Sequence, residues 1–183
     1  MRRELLIGCG TARDKRAGGS PEWSNLVTLD SNPAHVPDVI WDLEQLPLPF
    51  EDSSLDEIHA YEVLEHTGSQ GDWRFFFAQW SDFWRILKPG GMFYGTVPHR
   101  ESVWVWGDPS HKRMIMPEQF VFLMQPEYTR QAGRTPMSDF RFCYKADFDL
   151  EASDRNEESW RFGLRAIKPS RIDLAGVLDK ITC

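Results

Sequence analysis

The residues whose types and spacing best fit ligand chemistry are Gly8, Cys9 and Gly10, which close the apolar run Glu4-Leu-Leu-Ile7, and Asp30, which closes Val27-Thr-Leu29. Glycines lack a Cβ, so the chain can turn sharply there and a ligand can lie against bare backbone. Asp30 stands twenty positions after Gly10. That is the spacing of a βαβ unit, whose second strand ends in a carboxylate able to accept hydrogen bonds from both hydroxyls of a ribose. A Gly-x-Gly alone equally describes a tight strand-to-helix turn that binds nothing; the acid at the matching position makes a nucleoside cofactor an equal contender.

Arg13 occupies the position where a dinucleotide fingerprint has its third glycine, and Thr11 to Glu22 is polar and interrupted by Gly and Pro. A helix that cradles a pyrophosphate is hard to fit there, which disfavours NAD. S-adenosyl-L-methionine carries ribose and adenine without phosphate. It needs the glycine turn and the acid but no phosphate-binding helix.

Further along, Asp38-Val-Ile-Trp-Asp42 reads as a third strand before a proline-rich turn, and its terminal Asp42 is placed to bond an adenine amino group. Ser54 to Ala60 reads as a fourth strand, with Tyr61-Glu-Val-Leu-Glu-His66 leaving its carboxyl end toward the crevice where open α/β sheets bind ligands. A helix is predicted from about Asp72 to Leu87, stopped by Lys88-Pro-Gly-Gly91, and Met92 to Pro98 is a fifth strand.

Gly8-Cys-Gly10, Asp30, Asp42-Leu-x-x-Leu-Pro-x-Pro-Phe50, Ser54-x-Asp56-x-Ile58, Glu62-Val-Leu-Glu-His66 and Arg85-Ile-Leu-Lys-Pro-Gly-Gly91 follow one another in order over residues 4 to 98. Together they resemble a class I S-adenosylmethionine-dependent methyltransferase, and within it the small type 11-like branch of bacteria and phages. The resemblance implies an α/β, Rossmann-like, doubly wound and mostly parallel seven-stranded sheet, closed by an antiparallel C-terminal hairpin in a single domain. It implies S-adenosyl-L-methionine as cofactor, with Gly8, Cys9 and Gly10 along its methionine and ribose. Asp30 falls to the ribose hydroxyls, with Ser31 beside it among the cofactor-binding residues, Asp42 and Leu43 to the adenine, and Tyr61 and Glu62 to the methyl-transfer face. Leu6 departs from the pattern, since many members carry an acidic or amide residue there, and the first helix is short.

After the fifth strand, Asp108-Pro-Ser-His111-Lys-Arg113 resembles an Asp-Pro-x-His-x-Arg box of the same branch. An imidazole suits proton removal from an oxygen or nitrogen nucleophile, which makes His111 a candidate, and His66 and His99 compete for that role; a loop-capping histidine is the equal alternative. Residues 99–139 form a substrate-side insert with a short helix at Pro117 to Met124. Phe140 to Ala152 and Ser159 to Ile167 pair as a hairpin across Ser153 to Glu158. The methyltransferase domain spans 1–168, and 169–183 is a tail that holds a short helix or frays.

The 183 residues, 41% hydrophobic and 27% charged, suit one domain with a real core. Three cysteines, Cys9, Cys143 and Cys183, at unrelated spacings, with no signal peptide or long apolar span, suit a reducing cytoplasm and no membrane. No Cys/His group has metal-ligand spacing, so no metal is expected and Cys9 reads as a packing residue. A net charge of −7 argues against a nucleic-acid partner, although Arg100, Lys112, Arg113, Arg130 and Arg134 leave a local basic stripe open. An unidentified small molecule is the favoured substrate.

Two overlapping stripes, Phe76, Trp80, Phe83 and Leu87 beside Trp73, Phe77, Trp80 and Trp84, give the long helix a wide apolar face. It packs on the sheet and under the second half of the chain, or else forms a homodimer interface or a substrate wall. Two rival classes stand beside the enzyme reading: a non-catalytic binding or regulatory protein of the same fold, and a different enzyme on the scaffold, such as an aminopropyl-type transferase or an NAD-dependent oxidoreductase.

Overall fold

The computed structural model describes residues 2–172. A seven-stranded sheet runs in the order β3-β2-β1-β4-β5-β7-β6. Strands β1 (Glu4–Ile7), β2 (Leu26–Asp30), β3 (Val39–Ile40), β4 (Leu55–Tyr61) and β5 (Leu87–Pro98) are parallel. Strand β7 (Ser159–Ala166) is antiparallel to β5, and β6 (Phe148–Arg155) is antiparallel to β7. The chain winds outward through β2 and β3, then returns to β4 beside β1. This puts the topological switch point, where such sheets bind ligands, at the carboxyl ends of β1 and β4.

Alternation sets the two faces of the sheet. Leu5, Ile7, Ile58, Ala60, Phe93 and Val97 join one buried core. Helix α1 (Trp73–Ile86) packs there, with Asp72 capping it by accepting a 3.0 Å bond from the Phe75 amide. Trp80 touches Phe93, Phe120 and Phe148, while Phe77 packs on Phe140 and Tyr144. Both aromatic stripes are therefore taken up within the chain, one on the sheet and one under its second half.

On the other face Glu4, Glu57 and His59 are fully buried. No helix forms between β1 and β2, because the polar Thr11 to Glu22 segment cannot offer an apolar stripe. Its loop covers the face instead: Lys15 Nζ bridges Glu4 (2.8 Å) and Glu57 (3.1 Å), and the Trp23 ring stands edge-on to His59 at 4.8 Å.

Several boundaries differ from those predicted. Strand β3 keeps two residues, leaving Asp42 in the turn beyond it, where its Oδ1 accepts from the Glu44 amide. Strand β5 begins five residues early, because Leu87 already pairs with Leu55 and Lys88-Pro-Gly-Gly91 makes an irregularity inside the strand. Residues 140–147 are a turn segment, with the amides of Cys143 and Tyr144 both donating to Phe140 O, so β6 starts at Phe148. The helix predicted from Pro117 is a 3-10 helix, Pro117–Leu123, followed by α3 (Gln125–Gln131); a four-residue α2 (Trp104–Gly107) precedes both. The expected tail starts pinned to the domain, since Arg171 grips Asp147 and Asp149; the helix or fraying expected beyond it lies outside the described residues.

Candidate functional site

A cavity of about 450 Å³ opens at the switch point. Gly8, Gly10, Asp30, Ser31, Asp42, Leu43 and Glu62 line it, all expected from the sequence, together with His66. The turn after β1 is built on Gly8 and Gly10, at φ +58° and +53°, a left-handed backbone that favours glycine. A Cβ on Gly8 would lie 2.2 Å from Val63 Cγ2.

Asp30 ties the two strand ends together. Its Oδ2 accepts from the Gly10 amide (2.9 Å), its Oδ1 accepts from the Asn32 amide (2.8 Å), and His35 Nδ1 lies 3.1 Å from Oδ2. Burial alone would raise its pKa, but the two backbone hydrogen bonds and His35 outweigh it and hold the carboxyl below its usual range. Arg13, which took the place of a third glycine, donates to Gly10 O (2.6 Å) and His35 O (2.8 Å) and so fixes the turn without a helix.

Two expected residues lie outside this cavity. Cys9 is buried, and burial pushes its thiol up, away from nucleophile behaviour. Tyr61 turns to the opposite face, where its hydroxyl accepts from the Arg16 amide and meets His59 Nδ1 at 2.7 Å. His35, Trp41, Thr67 and Lys112 also line the cavity without having been expected there; Trp41 and Thr67 adjoin boxes legible in the sequence, Lys112 lies inside one, and nothing local marks His35.

A second cavity, about 300 Å³, adjoins the first, and both are walled by Glu62 and His66. Its lining also includes His111, Glu65, Asp108, Trp104 and Ser159. Glu62 sits at φ +54°, a strained position for a residue with a side chain, at the junction of the two spaces. Glu65 is 2% exposed, and burial with the nearby Glu62 charge pushes its carboxyl up to about 8. His66 and His111 stand ring to ring, centroids 4.7 Å apart, and burial lowers the His66 pKa. His99 lies apart, against Arg155.

The segment from Asp108 to Arg113 is locked to the turn after β4. The amides of Lys112 and Arg113 both donate to Glu65 O, and the buried Arg113 side chain donates to Leu64 O (3.1 Å), Thr67 Oγ1 (3.0 Å) and Gln79 Oε1 (2.6 Å). Desolvation pulls the Arg113 guanidinium down to about 10. The basic stripe considered from sequence is thereby broken: Arg113 is internal, Lys112 pairs with Glu44, and Arg130 pairs with Glu127.

The strand order and the crevice at its switch point define a Rossmann-like α/β fold. Residues 5–95, which carry the glycine turn, Asp30, Asp42 and the turn after β4, match the family described as a methyltransferase domain. Similar solved structures include an S-adenosylmethionine-dependent methyltransferase from Archaeoglobus fulgidus, at 15% identity and TM-score 0.55, covering 90% of this chain and 86% of that one. Another is the N-methyltransferase NodS from Bradyrhizobium japonicum WM9 with S-adenosyl-l-homocysteine, at 15% identity and TM-score 0.53, covering 90% and 78%. A third, the [4+2]-cyclase SpnF, has 15% identity and TM-score 0.55, covering 91% and 75%, so the scaffold does not by itself fix the reaction. No curated protein matches the chain in sequence. No helix among the described residues is long and apolar enough to cross a membrane.

Proposed function

We propose that this chain transfers the methyl group of S-adenosyl-L-methionine to an oxygen or nitrogen atom of a small molecule. The observation that carries this reading is the pair of adjoining cavities that share Glu62 and His66. The larger holds the cofactor: Gly8 and Gly10 lie along its methionine and ribose, Asp30 meets the ribose hydroxyls with Ser31 beside it, and Asp42 and Leu43 meet the adenine. The smaller admits the acceptor, with His66 and His111 beside its nucleophile. Methyl transfer needs the nucleophile in line with the sulfonium carbon and close to it, so positioning supplies most of the rate. The acceptor's bond to the methyl carbon forms as the carbon–sulfur bond breaks, and the electron pair stays on sulfur. The odd cysteine count supports a reducing cytoplasm as the working compartment.

The test is calorimetric titration with S-adenosyl-L-methionine and S-adenosylhomocysteine, with NAD as control. Micromolar binding of the adenosyl ligands alone is the expected result. Binding of NAD in preference would overturn the cofactor assignment, and adenosyl binding without turnover over a panel of hydroxyl and amine acceptors would favour a regulatory protein of this fold.

A further inference from the structure

We propose that Glu65, His66 and His111 form a binding site for one divalent transition-metal ion, of the zinc type, in the smaller cavity. One ligand atom from each lies within 4.8 Å of the others, and Glu65 Oε1 is 3.9 Å from His111 Nε2. Ligand atoms around a tetrahedral zinc ion stand about 3.4 Å apart, so small side-chain rotations close the set.

Glu65 supplies the independent observation. It is 2% exposed, with Glu62 and Arg113 as charged neighbours, and among the described residues neither carboxyl oxygen has a partner at hydrogen-bond distance. Buried carboxylates are ordinarily paired, hydrogen-bonded or metal-bound, and this one is aimed at two imidazoles.

The hydrogen bonds behind the imidazoles point the same way. His111 Nδ1 lies 3.1 Å from Val105 O, which only accepts, so Nδ1 carries the proton and Nε2 presents a lone pair. His66 Nδ1 lies 3.1 Å from Ser110 Oγ, whose own hydrogen goes to Asp108 Oδ1 at 2.5 Å. Ser110 Oγ therefore accepts from His66, and the other ring nitrogen of His66 is left open. A histidine that donates one nitrogen to a carbonyl or a carboxylate-linked hydroxyl while offering the other is the usual arrangement of a metal ligand. Asp108 Oδ2, 3.9 Å from His111 Nε2, stands at the rim.

Two imidazoles and one carboxylate suit zinc, cobalt or nickel better than magnesium or calcium, which take oxygen sets. Three protein ligands leave a coordination position open to the cavity. The sequence spacing hides this set, because Glu65 and His66 come from the turn after β4 and His111 from the loop that Arg113 locks onto it.

The site shares the acceptor-side cavity and two of its histidines with the methyl-transfer reading, but its test needs neither cofactor nor turnover. Tag-free protein, stripped with a chelator and dialysed, is titrated with Zn²⁺ by calorimetry and with Co²⁺ by visible absorption. The expected result is one ion per chain and cobalt d–d bands, with affinity about tenfold weaker or more in Glu65→Gln and His111→Gln. Cys143→Ser should bind as the unaltered chain does. A readout that needs no variant is the imidazole NMR spectrum, in which Co²⁺ should shift His66 and His111 and spare His35 and His59. Absence of saturable binding at one equivalent, equal affinity in Glu65→Gln and His111→Gln, or perturbation of other histidines alone would overturn the proposal.

Discussion

The Asp30 carboxylate accepts a 2.9 Å hydrogen bond from the Gly10 amide, so the acid at the end of β2 holds the glycine turn at the end of β1. The residue proposed to bind ribose thus also shapes the backbone on which the ribose lies. Asp30→Ala should weaken S-adenosyl-L-methionine binding by about 1.5–3 kcal/mol, the scale of hydrogen bonds to a charged group. Calorimetry reads this directly, and unchanged affinity would remove Asp30 from the site.

The two glycines of that turn should respond differently to alanine. Both have positive φ, but a Cβ on Gly8 would strike Val63, whereas one on Gly10 meets nothing within 4 Å among the described residues. Gly10→Ala should cost about 1–2 kcal/mol of stability, the left-handed backbone penalty alone. Gly8→Ala adds overpacking against Val63 and should cost about 2–4 kcal/mol. Urea unfolding of both variants decides it; equal losses would contradict the packing of the turn after β4 on the glycine loop.

Much of the cofactor side was legible because it is local: a glycine turn ends one strand, an acid ends the next, and both reach the switch point by topology alone. Glu65 was not legible as a site residue, although its box was read. Its meaning depends on His111, brought near by hydrogen bonds from Lys112 and Arg113 to a backbone carbonyl that sequence does not mark. Tyr61 misled for a period-two reason: β4 runs one residue further than expected, and alternation turns this side chain to the face of Glu57 and His59. The start of β6 was placed too early because Phe140 and Tyr144 look strand-like, yet they fold as a turn that packs aromatic rings against α1.

Arg113 should be a stability residue as much as a site residue. Its guanidinium satisfies Leu64 O, Thr67 Oγ1 and Gln79 Oε1 within the interior. Arg113→Met would leave those acceptors without their charged donor, at a cost of about 3 kcal/mol or more. Denaturant unfolding should show that loss, while Arg130→Met, at an exposed pair, should stay within about 0.5 kcal/mol of the parent.

His111→Gln should lower turnover by about a hundredfold or more while leaving cofactor affinity intact, because His111 lines only the acceptor-side cavity. Steady-state rates with a methyl acceptor, set beside calorimetry with S-adenosylhomocysteine, separate the two effects. Normal turnover would sink the assignment, and weakened cofactor binding would move His111 to the other cavity.

Acid should unfold the chain through Glu57 and His59. Burial would raise the Glu57 carboxyl, but hydrogen bonds from His59 and Lys15 prevail and hold it down to about 2 against an ordinary 4.5. A carboxyl depressed in the folded state binds fewer protons there than in the unfolded chain between these values. Its contribution is therefore complete above pH 4.5 and is lost as pH falls toward 2. Burial also lowers His59, so protonation of the unfolded chain begins to weaken the fold below about 6.5. Urea midpoints should thus decline from pH 6.5 downward and fall steeply below 4.5. Glu57→Gln should be less stable at neutral pH but show a shallower decline below pH 4.5, whereas curves parallel to the parent's would show that Glu57 does not govern the acid limb.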